Sequence, residues 1–385
     1  MKIMFLTATY WPAQDGVSVV TQYLAEGLAR NHQVCVVATR REYAEREEHE
    51  KVIIQRIRAQ RSIWLCNFHG EKKKARDCVM KFQPNVLIVV GIQTWCYDWF
   101  VGELDRFPGK KMLMTHGSSC LKEYDVWSKV KQIRFRRRIL ADLIDVNFER
   151  YWKKYKKALP KGMGRFEIVS YLFEGEELYE YTKRAGLRNS MILENATQDF
   201  FFARKAYLTD DNKEIVFINV STYEERKNQK MILRAYSKMA FSGTRLVLIG
   251  SRENAYYQEL MEMKRKLEES DTFSGNIEIY VGIERERVLE LYKSADIYVS
   301  ASNWEAMSIS LCEAAAGGLF ILSTDVGHVS QIPGVQLFET EEELTELMWE
   351  ACRDSEKRRT CGKLSYEYAE ENYRIRKKVE VLEKQ

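Results

Sequence analysis

The 385-residue chain is long enough for two domains of ordinary size, each with its own core. Its 45% hydrophobic and 30% charged residues describe a soluble, globular chain, and no apolar run approaches the roughly 18 residues that span a bilayer. A net charge of +4 argues against global steering of nucleic acid, and 8 scattered cysteines, with no Cys-x-x-Cys pair, argue against a disulfide framework or a zinc site.

The expected setting is therefore a reducing cytoplasm with no nucleic-acid partner. Met1-Lys2-Ile3-Met4-Phe5-Leu6-Thr7 is too short a hydrophobic run for a signal peptide and reads as a first strand. Ile3–Thr7, Val34–Ala38, Val52–Ile57, Val86–Val90 and Met112–Thr115 are short, nearly continuous apolar runs, which suit a parallel sheet covered on both faces. Val17, Val20, Leu24 and Leu28 form an apolar helical stripe between the first two. The first half thus reads as Rossmann-like.

Its loops carry the candidate chemistry. Gly16, followed by Val17 and Ser18, lets the backbone approach a ligand where a helix N-terminus favours an anion. His116 follows the Met112–Thr115 strand, at the carboxyl end where open parallel sheets bind ligands. Of the other histidines, neither His32 nor His49 falls at a strand's carboxyl end, and His69 and His328 lie in turn-like stretches.

From about Leu121 to Lys161 the pattern turns to long helical segments dense in cations: Lys129, Lys131, Arg134, Arg136, Arg137 and Arg138, then Lys153, Lys154, Lys156, Lys157 and Lys161. Trp127, Phe135, Phe148, Tyr151, Trp152 and Tyr155 interleave them. Such helices suit an anionic membrane, an anionic polymer or simply solvent. Thr197 to Asn212 reads as the linker between domains.

The second half restarts the alternation, with strands at Ile215–Asn219, Leu246–Ile249, Ile277–Val281, Ile297–Ser300 and Leu319–Leu322. Helices are expected near Gln229–Met239, Asn254–Glu269 and Glu284–Lys293. After the fourth of these strands comes Ser302-Asn303-Trp304-Glu305-Ala306-Met307-Ser308-Ile309, feeding a helix that contains Glu313 and stops at Gly317-Gly318. The opening of that helix aims N–H groups at the crevice, where they can hold phosphate. Glu305 and Glu313 flank the anion site and make sense as acceptors for hydroxyls on either side of it.

The Glu305/Glu313 spacing resembles the Glu-x7-Glu signature of retaining GT-B glycosyltransferases of the family-4 type. The likeness covers nearly the whole chain and is sharpest from Phe217 to Gly327. It implies an α/β, GT-B fold: two Rossmann-like domains with a cleft between them. Residues 1–200 would bind acceptor, 201–365 nucleotide-sugar, and a helix at 366–385 would cross back to the first domain.

Asp15-Gly16-Val17 resembles the family's Gly-Gly-Val loop, with Asp15 in place of the first Gly. Lys227-Asn228-Gln229 matches the family's diphosphate-gripping segment, but Thr222 stands where Arg is usual, leaving Arg226 or Arg252 as substitutes. The resemblance implies donor contacts at Gly16, Val17, Thr222, Arg226, Lys227, Ser251, Arg252, Gly282, Ile283, Glu305, Ala306, Met307, Ser308, Ile309 and Glu313. It assigns catalysis to His116, Lys227 and Glu305, and acceptor binding to Asp15 and His116. Glu194-Asn195-Ala196-Thr197 resembles the Asn-Gly segment at the domain junction.

The expected reaction is transfer of a sugar, with retention, from a nucleotide-diphosphate sugar to an acceptor hydroxyl. UDP is the commonest donor nucleotide among relatives, and a glycan or lipid-linked acceptor fits polysaccharide or glycolipid synthesis. No Asp-x-Asp occurs, so no metal and no cofactor beyond the co-substrate are expected. Peripheral contact with an anionic membrane through residues 129–161, at the inner face, would accompany a lipid-linked acceptor. The rival readings are a nucleotide-sugar epimerase of the same fold and a non-catalytic partner subunit, the latter motivated by Thr222 and Asp15.

Overall fold

The computed structural model describes residues 1–40, 43–62, 66–117, 121, 139–203, 205–208, 214–239, 242–270 and 273–385, the segment 139–147 by its backbone alone. Its packing divides it into one unit of residues 1–194 with 382–385, and another of residues 195–381.

The first unit runs β1 (Lys2–Leu6), α1 (Gly16–Leu28), β2 (Gln33–Thr39), β3 (Arg46–His49), β4 (Val52–Ile57), β5 (Ala59–Arg61), β6 (Phe68–Gly70), α2 (Lys72–Phe82), β7 (Val86–Val90), α3 (Trp95–Phe100), β8 (Lys110–Met114), α4 (Ile139–Met163), β9 (Ile168–Tyr171), α5 (Glu177–Arg184) and β10 (Ser190–Ile192). Eight strands form one sheet in the order β10-β9-β8-β7-β1-β2-β4-β3, and β5 pairs with β6 apart from it. All pairings in the large sheet are parallel except β3 with β4.

The central strands are apolar on both faces because helices cover both. Leu6, Val37, Val89 and Leu113 are buried beside Trp95, Phe100 and Trp152. Each such side chain contributes about 1.5–3 kcal/mol by leaving water. Edge strand β3 has the opposite composition, Arg46-Glu47-Glu48-His49, and charge on an edge discourages further pairing. That polar run carries no apolar alternation to mark it as a strand. Two histidine placements are corrected accordingly: His49 ends β3, and His69 lies within β6.

The second unit runs β11 (Ile215–Val220), α6 (Gln229–Met239), β12 (Thr244–Gly250), α7 (Ala255–Glu268), β13 (Asn276–Val281), α8 (Arg285–Ser294), β14 (Ile297–Ser300), α9 (Ile309–Gly317), β15 (Phe320–Ser323), β16 (Gln336–Leu337), α10 (Glu341–Arg353), α11 (Ser355–Asn372) and α12 (Ile375–Glu383), the last running on into residues grouped with the first unit. Its sheet order is β13-β12-β11-β14-β15-β16 and every pairing is parallel. This is a doubly wound sheet whose winding reverses between β11 and β14.

The described part of the stretch read as a linker, residues 197–203 and 205–208, is instead packed into this unit. Phe201 and Phe202 are buried, Thr197 exchanges backbone hydrogen bonds with Tyr373 and Ile375, and Arg374 holds Asp199 at 2.6 Å. The polar turn residues around 210 masked two aromatic anchors upstream of them. No helix among the described residues is long and apolar enough to cross a membrane.

Candidate active site

The second unit's site grows from the point where β11 and β14 diverge. Asn219 of β11 donates to the Val299 carbonyl of β14 at 2.7 Å, so the two strand ends are fixed side by side. The chain leaving β11 makes a 3-10 turn, Glu225–Lys227, closed by Asn228 in the left-handed region. The chain leaving β14 continues as 301–308. The Asn303 N–H donates to the Arg226 carbonyl at 2.7 Å, which stitches the two loops together.

Across that stitch the Lys227 ammonium donates to Glu305 Oε1, and both side chains are mostly buried. Ser302 Oγ donates to the same oxygen at 3.1 Å, and the Arg226 guanidinium lies 3.7 Å from Oε2. Glu305 is thus a carboxylate bonded by Lys227 and Ser302, with Arg226, which itself donates to Glu224 at 2.8 Å, beside it. From the far side Gly327, at φ 65°, lies against the loop so closely that a Cβ there would meet the Ala306 carbonyl oxygen at 2.1 Å. Asn195 Nδ2 fixes the Met307 carbonyl at 2.8 Å. The loop bearing Glu305 is braced from three directions.

Helix α9 opens at Ile309 behind this cluster. Its N-cap, Ser308, makes no side-chain cap; its hydroxyl lies 2.9 Å from Ser310 Oγ, which also contacts the Tyr298 hydroxyl at 2.9 Å. The first N–H groups of a helix have no partner within it, so they point at the crevice together with the positive end of its dipole. Ala306, Met307 and Ser308 precede the helix, leaving Ile309 as its first residue. Burial pushes the Tyr298 phenol well up, keeping it a neutral hydroxyl.

Glu313, one turn further in, is 1% exposed and bonded to the Arg285 guanidinium. Arg285 opens α8, just past Gly282 in its left-handed turn. An arginine at a helix start is ordinarily solvated, so nothing in its own local sequence marks Arg285. The signal lay in Glu313 itself: a carboxylate at an otherwise apolar helix position demands a cation. Thr222 is half-buried with its hydroxyl out of solvent and unbonded, while Ser251 and Arg252 are exposed beyond β12 and Ile283 is half-buried.

The first unit's switch point lies between β1 and β7, and its loop is differently equipped. Asp15 is the N-cap of α1: one carboxylate oxygen accepts from the Ser18 N–H at 3.1 Å and the other from Ser18 Oγ at 2.7 Å. A carboxylate thus occupies the helix opening beside Gly16 and Val17. Beneath the loop Arg56, fully buried, donates to the Trp11 carbonyl at 2.6 Å and pairs with Glu47. His116, half-buried with φ 52°, follows β8. Of the basic region, Lys129 to Arg138 lies outside the described residues. On α4, Arg150, Lys153, Lys154, Lys157 and Lys161 are exposed.

Two α/β units, each built on a largely parallel, doubly wound sheet, fit the GT-B fold, and the structural comparisons agree. Residues 201–368, in the second unit, match the family glycosyl transferases group 1. The chain is 23% identical over 350 residues to the uncharacterized glycosyltransferase MJ1607 of Methanocaldococcus jannaschii, covering 86% of this chain and 82% of that protein. Among solved structures it is similar to a sucrose-phosphate synthase of Thermosynechococcus elongatus, with TM-score 0.73 at 14% identity, covering 100% of this chain and 97% of that one. It is also similar to Anabaena Alr3699/HepE in complex with UDP and glucose, with TM-score 0.69 at 12% identity and coverage of 100% and 98%.

Proposed function

We propose that the protein transfers a sugar, with retention at the anomeric carbon, from a nucleotide-diphosphate sugar to an acceptor hydroxyl, with UDP as the donor nucleotide. The observation that carries this reading is the Lys227–Glu305–Arg226 cluster at the opening of α9. Breaking a glycosidic bond to a diphosphate places charge on the leaving group. Lys227, Arg226 and the amides of α9 are suited to receive it, and fixed donors of this kind are typically the largest single contribution to such catalysis. Arg226, within reach of Glu305, is the candidate substitute for the arginine missing at Thr222. With this cationic set in place the transfer is expected to proceed without metal, so chelator leaves turnover unchanged.

Glu305 would accept from the donor sugar's hydroxyls and Glu313 from the nucleotide ribose. His116, in the first unit, would serve the transfer step, so His116→Ala lowers turnover and spares nucleotide binding. The anionic diphosphate has no welcome at Asp15. HepE, crystallised with UDP and glucose, lends support to the donor class. The exposed cations of α4 suit an anionic lipid surface, which favours a glycan or lipid-linked acceptor. Binding of the unaltered protein to anionic but not zwitterionic vesicles, weakened by salt, checks that part.

A thermal-shift screen of nucleotide sugars, followed by NMR of the product's anomeric configuration, tests the whole. A donor at 100 times its dissociation constant stabilises the fold by about 2.7 kcal/mol. A panel in which no nucleotide or nucleotide sugar raises Tm contradicts the reading. Interconversion of the donor without acceptor would point to epimerisation instead.

A further inference from the structure

A carboxylate that receives a ribose hydroxyl is expected to face the ligand with nothing in front of it, and Glu313 does not. It is 1% exposed, and the Arg285 guanidinium lies on it. Arg285 is held on a second side as well, its guanidinium carbon 5.0 Å from the centroid of the buried Phe201 ring. Phe201 in turn packs edge-on against Tyr292 at 5.5 Å. The arginine is therefore fixed in place. It nevertheless keeps 34% of its side chain exposed, at the carboxyl edge of the sheet where such folds bind ligands. Gly282, three residues earlier and at φ 59°, is uncrowded: a Cβ there would meet only the Ser251 carbonyl oxygen, in ordinary contact at 3.5 Å.

We infer that Arg285 and Glu313 read the donor's nucleoside as one unit, and that Arg285 is a specificity-determining residue for its ribose. This rests on the reading of the second unit as the donor site. Of the bonded pair, Arg285 is the exposed member and Glu313 the buried one. A guanidinium is a fork of donors and a carboxylate only accepts, so the pair matches a vicinal diol, whose hydroxyls each donate and accept. The 2′,3′-diol of a ribonucleotide has that chemistry and a 2′-deoxynucleotide lacks half of it. A buried counter-ion for Glu313 alone would need neither the exposure nor the aromatic brace.

The test measures the affinity of UDP and 2′-deoxy-UDP for the unaltered protein, Arg285→Met, Arg285→Lys and the double variant Arg285→Met/Glu313→Gln. The unaltered protein should prefer UDP by at least about tenfold. Arg285→Met should lose about tenfold for UDP while barely changing for 2′-deoxy-UDP, with Arg285→Lys in between. The double variant buries no unpaired charge and should fold, as its Tm will report, yet it should discriminate no better than Arg285→Met. If the double variant folds and keeps the UDP preference, Arg285 is only a counter-ion and the inference falls. Absence of UDP binding to the unaltered protein would instead overturn the donor-site reading itself.

Discussion

The two switch points are built on the same kind of parallel sheet and carry opposite charge. In the first unit, α1 opens on Asp15, whose carboxylate satisfies the Ser18 N–H and supplies the negative charge a helix opening attracts. In the second, α9 opens on Ser308 without a side-chain cap, behind Lys227 and Arg226. Topology gives both units a crevice. The cap residue and the cations around it decide whether that crevice supplies an anion or receives one.

The comparison breaks most severely at Lys227. Lys227→Ala removes the charge proposed to receive the diphosphate and leaves Glu305 undercompensated, so kcat should fall by about 10²–10³. Steady-state kinetics with the donor found by thermal shift would check this, and near-normal turnover would move the chemistry elsewhere.

Buried acids sharpen the same contrast. Glu313 has Arg285, whereas Glu176 of the first unit is 5% exposed, accepts only from the Leu172 N–H and has one oxygen unbonded. Burial pushes the Glu176 carboxyl up to about 7 from an ordinary 4.5. Because the folded state holds the proton more tightly, this group stabilises the fold most below its ordinary value. That stabilisation is lost as pH rises from about 4.5 to 7. Glu176→Gln should remove a pH-dependent component of roughly 2–3 kcal/mol over that window and raise stability at pH 8. Denaturation at several pH values would show it, and parallel pH curves for the two proteins would refute it.

Glu305→Gln should lower turnover by about tenfold or more and leave free UDP affinity intact, since this residue is assigned to the sugar and not the nucleotide. Equal loss of UDP binding would merge the roles of the two glutamates. The smallest effect belongs to Asp15→Ala, which should cost about 1 kcal/mol of stability through the lost cap and leave UDP affinity unchanged.

The contrast also separates what sequence could reveal from what it could not. Apolar strand runs such as Val86–Val90 and Ile297–Ser300, and the periodic helix Gln229–Met239, are set by local pattern and were placed at the observed bounds. Polar edge strand β3 and the two-residue β16 carry no such pattern, and only their neighbours define them. In the site, Lys227 and Glu305 are nameable from the family resemblance, but their direct pairing depends on β11 and β14 ending side by side. Arg285 was invisible for the same reason: its partner is 28 residues away and joined to it only through packing.

The central claim, that the nucleotide is received by the second unit's switch point, is tested most directly by amide hydrogen exchange with and without saturating UDP. New protection is expected at 221–230 and 302–313 and none at 8–18. Protection confined to 8–18 would contradict it.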